Sequence, residues 1–221
     1  MEVSLPRASK TLLQPRVLGV IPARGGSKRV PRKNVRALRG KPCLVWTIEA
    51  ARDCGLMITR LVVSTDDRET AEIAEKNYCG WIQRPTELSQ GDLGSSWPAC
   101  NHALEECERL GDRPYDIILL LHPTSPIRKA QHICDAINLL WQSSCECVAS
   151  VNPDLDFNAS IYAMKRNWFL HNRTQKAAVF VPLVMDWRHS VDINTEEDFI
   201  LAEKALGDVN VHIRPERHGG A

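Results

Sequence analysis

The chain has 221 residues, with 28 Lys or Arg against 27 Asp or Glu and a formal charge of +1, a balance that argues against broad nucleic-acid binding. No run of about eighteen apolar residues occurs, so no helical membrane span is expected, and the length suits one α/β domain with a sizeable core. Eight cysteines lie scattered among apolar neighbours, and only Cys145 and Cys147 are close, a weak metal signal without a second pair. They read as reduced thiols and core filler in a cytoplasmic protein.

Residues 1–15 lack an apolar core of signal-peptide length and read as a loose leader. Residues 17–21 form an apolar run that predicts a buried strand, stopped by Pro22. Gly25, Gly26 and Ser27 follow in a loop. Residues 24–41 then carry eight basic side chains (Arg24, Lys28, Arg29, Arg32, Lys33, Arg36, Arg39 and Lys41) and no acid. Outside this stretch, 20 basic residues face 27 acidic ones, so the positive charge is concentrated just after the first strand.

A helix is expected over residues 43–52, ending near Gly55, and a strand over 60–65. Asp66 and Asp67 follow, with Asp67 placed to cap a helix over 68–77. A short strand at 80–83 runs into Arg84 and Pro85, then a polar loop covers 86–94. Ser95 or Ser96 starts a helix through about Leu110. The strongest strand is 115–121, apolar on both faces and therefore central in a parallel sheet. A helix over 127–141, a strand over 147–151, a turn at 153–158 and strands at 159–164 and 178–184 come next. The extended residues 191–193 lead to Asn194 and to a last helix over 196–206 capped by Thr195. The polar tail is 208–221.

Strand and helix alternate through the first 150 residues, which predicts an α/β fold with a doubly wound, mostly parallel sheet. The segments that follow strands, 22–34, 64–67, 84–95, 122–128 and 192–195, then fall on the rim where such folds bind ligands. The basic stretch reads there as a polyanion cradle. Glycines let backbone N–H groups approach an anion, Arg24 can grip phosphate oxygens with two donors, and Lys28 and Lys33 add point charges. The rival reading is a solvated basic loop. Neither the P-loop pattern nor the dinucleotide fingerprint is present.

Four segments resemble one family. Residues 21–28, Ile-Pro-Ala-Arg-Gly-Gly-Ser-Lys, with Pro31, Lys33 and Asn34, look like the signature of the acylneuraminate cytidylyltransferases. Residues 84–88 resemble that family's R-P-x-x-L segment, residues 122–128 its Q-P-T-S-P-L-R segment, and residues 190–199 its I-D-I-D-T-x-x-D-F segment. The resemblance spans about residues 16–206 and implies a single cytidylyltransferase domain over 16–207. Its fold would be a three-layer, Rossmann-like sandwich of the nucleotide-diphospho-sugar transferase type.

The reaction implied is transfer of CMP from CTP to the anomeric hydroxyl of a nonulosonic, sialic acid-like sugar acid, with release of pyrophosphate. The alternatives are a relative acting on another 2-keto-3-deoxy sugar acid such as 3-deoxy-manno-octulosonate, and a weakened nucleotide-binding homologue. By resemblance Arg24, Gly25, Gly26, Ser27, Lys28, Lys33, Asn34 and Arg84 hold the nucleotide. Arg24, Lys28, Lys33 and Asp192 serve the chemistry, and His122, Thr124 and Ser125 face the sugar. Arg84 reads otherwise as a surface residue, and Thr124 and Ser125 as shapers of a turn between two prolines.

A divalent cation, Mg2+, is implied at Asp192 and, more weakly, Asn194. In an extended D-x-D pair both side chains share one face. Here Asn stands second and adds no charge. His122 stands where the family usually has Gln, either as a neutral hydrogen-bonding replacement or as a base on the sugar hydroxyl. The family's extended dimerisation arm is reduced here to 152–158, which weakens the expected homodimer. CTP and a sugar acid are the partners implied, with no nucleic acid and no membrane.

Overall fold

The computed structural model describes residues 14–27, 29–89, 96–172 and 180–208. In chain order the elements are β1 (Val17–Pro22), β2 (Ala37–Leu38), β3 (Lys41–Pro42), α1 (Cys43–Arg52), β4 (Arg60–Thr65), α2 (Arg68–Lys76), β5 (Gly80–Gln83), α3 (Trp97–Arg109), β6 (Ile117–Leu121), α4 (Ala130–Gln142), β7 (Cys147–Val151), β8 (Phe157–Lys165), α5 (Arg166–His171), β9 (Val181–Val184) and α6 (Glu196–Gly207).

Seven strands form one sheet in the order β5-β4-β1-β6-β8-β7-β9. β1 pairs in parallel with both β4 and β6, and only β8 runs against its neighbours. The apolar runs explain the centre. All six residues of β1 and all five of β6 are buried, with side chains alternating between two cores. Ile117, Leu119 and Leu121 face α1 and α4, while Ile118 and Leu120 face α3 and Phe169 of α5. Helices on both faces make three layers, as the strand–helix alternation predicts.

The chain leaves β1 toward β4 on one side and returns to β6 on the other. Its carboxyl end is therefore the topological switch point, where open α/β sheets form their crevice.

Side-chain caps start two of the described helices. Asp67 accepts a bond from Thr70 N at 2.9 Å and starts α2. Thr195 and Asp198 form a reciprocal capping box on α6. Ser96 sits before α3 but its side chain makes no capping bond, and Ser95 lies outside the described residues.

Several expected boundaries move. The helix expected from residue 127 begins at Ala130, because 122–129 form a turn that wraps around the Arg128 side chain. Residues 191–193 belong to no strand; their pairing is a single bond from Ile193 N to the Thr124 carbonyl at 2.8 Å. The strand expected over 159–164 extends to Phe157–Lys165, and the one expected from 178 is seen from Val181. The short helix α5 and the β2–β3 ribbon, each too brief to show a period, had no sequence signal.

A third apolar cluster bears on the site. Val30, Leu38 and Cys43 meet Ile127, Val191, Ile193 and Phe199, Ala202 and Ala205 of α6. This pad joins four distant segments directly beneath the basic loop. Val191 and Ile193 point into it, so the alternating Asp192 and Asn194 are left on the other side.

Candidate functional site at the carboxyl edge of the sheet

The parallel strands end in register: Pro22 of β1 pairs with Ser64 of β4, and Thr65 with Gln83 of β5. The strand order therefore lays Arg84, Asp66, Arg24 and His122 along one edge of the sheet in that sequence.

At the β4–β5 end, Arg84 is 5 % exposed, which removes the surface reading. Its Nη2 donates to the Ser64 carbonyl at 2.7 Å and its Nε to Ser64 Oγ at 3.2 Å. Burial lowers its pKa to about 10, opposed by Asp66 and reinforced by the like charge of Arg24. Two guanidinium groups close enough to repel, one of them buried, are an arrangement that a bound anion relieves.

The glycines divide their work differently from the expectation. The Gly25 N–H donates to Asp66 Oδ1 at 3.0 Å. A Cβ at Gly25 would lie 2.7 Å from the Asp67 Cβ. Gly25 is thus required for close packing of the loop on its own chain, and its donor is already engaged. Gly26 is exposed, with no atom within 4 Å of a Cβ there, so it is the position open to a ligand. Asn34 is buried and donates its amide to the Arg24 carbonyl at 3.0 Å, bracing the loop from within. Lys28 lies outside the described residues.

The basic stretch is only partly directed at the site. Arg32 pairs with Asp67 and Glu69, Arg36 binds Glu196 through two 2.6 Å bonds and lies over the Phe199 ring, and Lys41 pairs with Glu49. These three cations fasten α1, α2 and α6 around the loop. Arg24, Arg29 and Lys33 remain on the site side.

At the β6 end, Lys33 Nζ donates to the Ile193 carbonyl, Thr124 Oγ1 donates to Asp192 Oδ1, and Asn194 Nδ2 donates to Asp192 Oδ2 at 2.6 Å. Arg29 Nη2 donates to Asn194 Oδ1 at 3.1 Å, linking the basic loop to the 192–194 segment. Burial lowers the Lys33 pKa, and Asp192 pulls it the other way. The 185–194 segment is tacked to the sheet by Met185 N on the Val151 carbonyl and by a buried chain running from Ser150 through Asn158 to Ser190. That anchoring delivers Asp192 to the β6 turn.

The His122 residue is half-buried, but its Nε2 is shielded from solvent and has no hydrogen-bond partner among the described residues. Burial brings its pKa down to about 4, with Asp192 opposing and Arg128 and Lys33 reinforcing, so the imidazole is neutral at pH 7. Between about pH 4 and 6.5 the unfolded chain therefore holds a proton here that the folded one does not. The stability contribution is complete above 6.5 and is lost as pH falls toward 4. His122→Gln is expected to flatten this part of the urea-midpoint profile between pH 4.5 and 7; an unchanged slope would contradict the assignment.

Ser125 is fully buried, with its Oγ unpaired among the described residues. Thr124 faces the crevice through Asp192.

A family model of cytidylyltransferases matches residues 18–211. The chain belongs to the cytidylyltransferase family. It is 30 % identical over 224 residues to the N-acylneuraminate cytidylyltransferase of Escherichia coli O18:K1:H7, covering 86 % of this chain and 52 % of that protein. It is also 30 % identical over 227 residues to the CMP-N,N'-diacetyllegionaminic acid synthase of Legionella pneumophila, covering 86 % of this chain and 96 % of the relative. The chain thus spans about half the length of the first relative and nearly all of the second. The solved structure of a CMP:2-keto-3-deoxy-manno-octonic acid synthetase complexed with CTP superposes with a TM-score of 0.69 at 15 % identity, over 87 % of this chain and 98 % of that one. That likeness establishes the shared fold.

Two residues of this cytidylyltransferase were not singled out from sequence. Asp66 holds the signature loop through Gly25 N. Arg128, 3 % exposed, donates Nε and Nη2 to the Ser125 carbonyl at 3.1 and 3.0 Å and Nη2 also to the His122 carbonyl, fixing the turn that carries Thr124. Its position at the end of the third motif was the available signal. All eight thiols are free, and burial pushes those of Cys43, Cys79 and Cys147 up to about 12. Those three are packing groups and not nucleophiles at neutral pH.

Proposed function

We propose that this cytidylyltransferase moves CMP from CTP to the anomeric hydroxyl of a nonulosonic acid and releases pyrophosphate. The observation that carries the reading is the polarity of the sheet edge. Arg84 and Arg24 lie at one end, while Asp192, Thr124 and neutral His122 lie at the other, with Lys33 and Arg29 between the basic loop and Asp192. The relatives named above act in their own names on N-acylneuraminate and diacetyllegionaminic acid.

In this reading the triphosphate lies on Arg24, Ser27, Lys28, Lys33 and the open Gly26, with Arg84 beneath. The sugar acid approaches from the β6 turn, where Thr124 and His122 hold its hydroxyl in line with the α-phosphorus. The hydroxyl oxygen bonds phosphorus as the bond to pyrophosphate breaks, its proton passes to the neutral His122 imidazole, and the cations offset charge on the leaving group.

The residues present fit one divalent cation. Asp192 offers hard carboxylate oxygens, whereas the Asn194 oxygen is already engaged by Arg29. A Mg2+ ion would be held by Asp192 and the substrate phosphates, and supplies charge neutralisation at the phosphoryl group. Among the described residues no group of three His, Cys, Asp or Glu side chains stands together as a metal cage.

Asn194→Asp would replace the 2.6 Å amide bond on Asp192 by two facing carboxylates. The variant is expected to half-saturate with Mg2+ at about three- to tenfold lower concentration, since ligand charge tunes affinity. It should also be less stable than the parent without metal. Equal metal titration curves for the two proteins would sink this assignment.

The eight free thiols support a reducing, cytoplasmic setting, and no described helix is long and apolar enough to cross a membrane. Only 152–156 separate β7 from β8, so the dimer is expected to be weak. Sedimentation velocity at micromolar protein should show mostly monomer.

The deciding experiment is pyrophosphate release with CTP and a panel of nonulosonic acids and 3-deoxy-manno-octulosonate, alongside calorimetry with the four nucleoside triphosphates. Turnover with a nonulosonic acid and preference for CTP is the expected result. CTP binding without turnover on any member would leave a nucleotide-binding homologue instead.

A further inference from the structure

The bond from Arg29 Nη2 to Asn194 Oδ1, 3.1 Å long, joins the basic loop to a segment 165 residues away. Among the described residues it is the one hydrogen bond of this exposed guanidinium, and no carboxylate pairs with it. We propose that Arg29 is an exchangeable latch: it holds Asn194 in the free protein, passes to a phosphate oxygen when the nucleotide binds, and so uncovers Asn194 Oδ1 beside Asp192. This role rests on the CTP reading above. It gives the site a further nucleotide-binding residue and a link between nucleotide and metal.

Three features set the direction of the exchange. First, Arg29 lacks the counter-ion that other cations of the loop have. Arg32 is paired with Asp67 and Glu69, Arg36 with Glu196 and Lys41 with Glu49. Arg29 meets a neutral amide, which leaves most of its N–H donors unused. The acids at that end are committed to neutral donors: Asp192 to Thr124 Oγ1 and Asn194 Nδ2, Asp198 to the N–H groups of Asn194 and Thr195. Burial lowers the Lys33 pKa and the like charge of Arg29 adds to the fall, so two cations converge here. Phosphate oxygens are charged and are stronger acceptors for a guanidinium than an amide is.

Second, the bond is not needed to hold the loop. Val30, next in the chain, and Ile193 are both fully buried in the apolar pad that joins these segments. An exposed hydrogen bond adds little to such an anchor, so releasing the guanidinium leaves both segments in place. Third, Oδ1 is the one oxygen that the Asn194 side chain can offer a hard cation, and its Nδ2 already donates to Asp192. While Arg29 holds that oxygen, Asp192 is the carboxylate on offer and a positive charge stands near it. Nucleotide and divalent cation therefore favour one another's binding, each by the same factor.

The test uses the full chain with CTP and Mn2+ as separate probes. In EDTA, calorimetry should show Arg29→Met binding CTP about tenfold or more weakly than the parent, with an unchanged thermal midpoint. Mn2+ titrated without nucleotide, and read by its electron paramagnetic resonance signal, should bind Arg29→Met about three- to tenfold more tightly than the parent. Loss of a nearby positive charge would by itself tighten Mn2+, so Asn194→Ala and the double variant complete a cycle. With no Oδ1 to uncover, Arg29→Met should tighten Mn2+ by less than about twofold in the Asn194→Ala background. Equal tightening in both backgrounds, or parental CTP affinity in Arg29→Met, would overturn the latch while the CTP reading stands. If the parent itself binds no CTP, the nucleotide reading falls and the exchange with it.

Discussion

Asp192→Asn is expected to lower CTP-dependent pyrophosphate release by about 10²- to 10³-fold, the range found when one electrostatic stabiliser of a transition state is removed. Both oxygens of Asp192 are engaged by neutral donors, Thr124 Oγ1 and Asn194 Nδ2. An amide of the same shape keeps one acceptor and costs about 1–2 kcal/mol of folding stability, short of what unfolds a domain. The loss should therefore appear in kcat, with the variant still folded by circular dichroism and still binding CTP in the absence of metal. A variant retaining more than about a tenth of parental turnover would remove Asp192 from the chemistry and with it the metal assignment.

Arg84→Met should behave in the opposite manner, with CTP binding weakened about 10- to 100-fold and folding stability changed by about 1 kcal/mol or less. Hydrogen bonds from a charged donor are worth about 1.5–3 kcal/mol, which converts to that range of affinity. Stability is spared for two reasons. The Ser64 carbonyl released by the substitution still accepts from Ala23 N at 2.9 Å. Removing the guanidinium also ends the repulsion with Arg24 and the burial that lowers the Arg84 pKa. Calorimetry with CTP and a urea melt on the same preparation separate the two effects. If stability collapses while the CTP affinity of the surviving protein is unchanged, Arg84 is a structural brace of β4 and not part of the nucleotide half of the site.

The contrast between these two residues shows how much was legible in the chain. The apolar runs at 17–21 and 115–121 announced the central strands, because a strand buried on both faces has no choice but to be apolar throughout. Asp67 and Thr195 announced helix starts, because capping is settled within three residues of chain. The segments following strands marked one edge of the sheet, since parallel strands in register must end together. Arg128 escaped because an arginine beside a proline turn carries no local sign of being buried. Residues 191–193 do not join the sheet because their partner is a single carbonyl on another segment, not a ladder.

Sequence alone thus determined the sheet's core, most of its helices and the five post-strand segments expected at its carboxyl edge. Each of these follows from periodicity, caps or chain order, which are local properties. Tertiary structure decided which of the eight clustered cations serve the site. Arg32 and Arg36 are taken up by acids 35 and 160 residues away, and Arg29 reaches Asn194 across 165. Such pairings depend on which segments the apolar pad beneath the basic loop brings together, and no spacing rule along the chain contains them. The same pad turned Asp192 outward, and the parallel register of β1 on β4 gave the Gly25 donor to Asp66. What composition presented as a uniform basic cradle is, in the fold, a small set of facing cations within a belt of ion pairs.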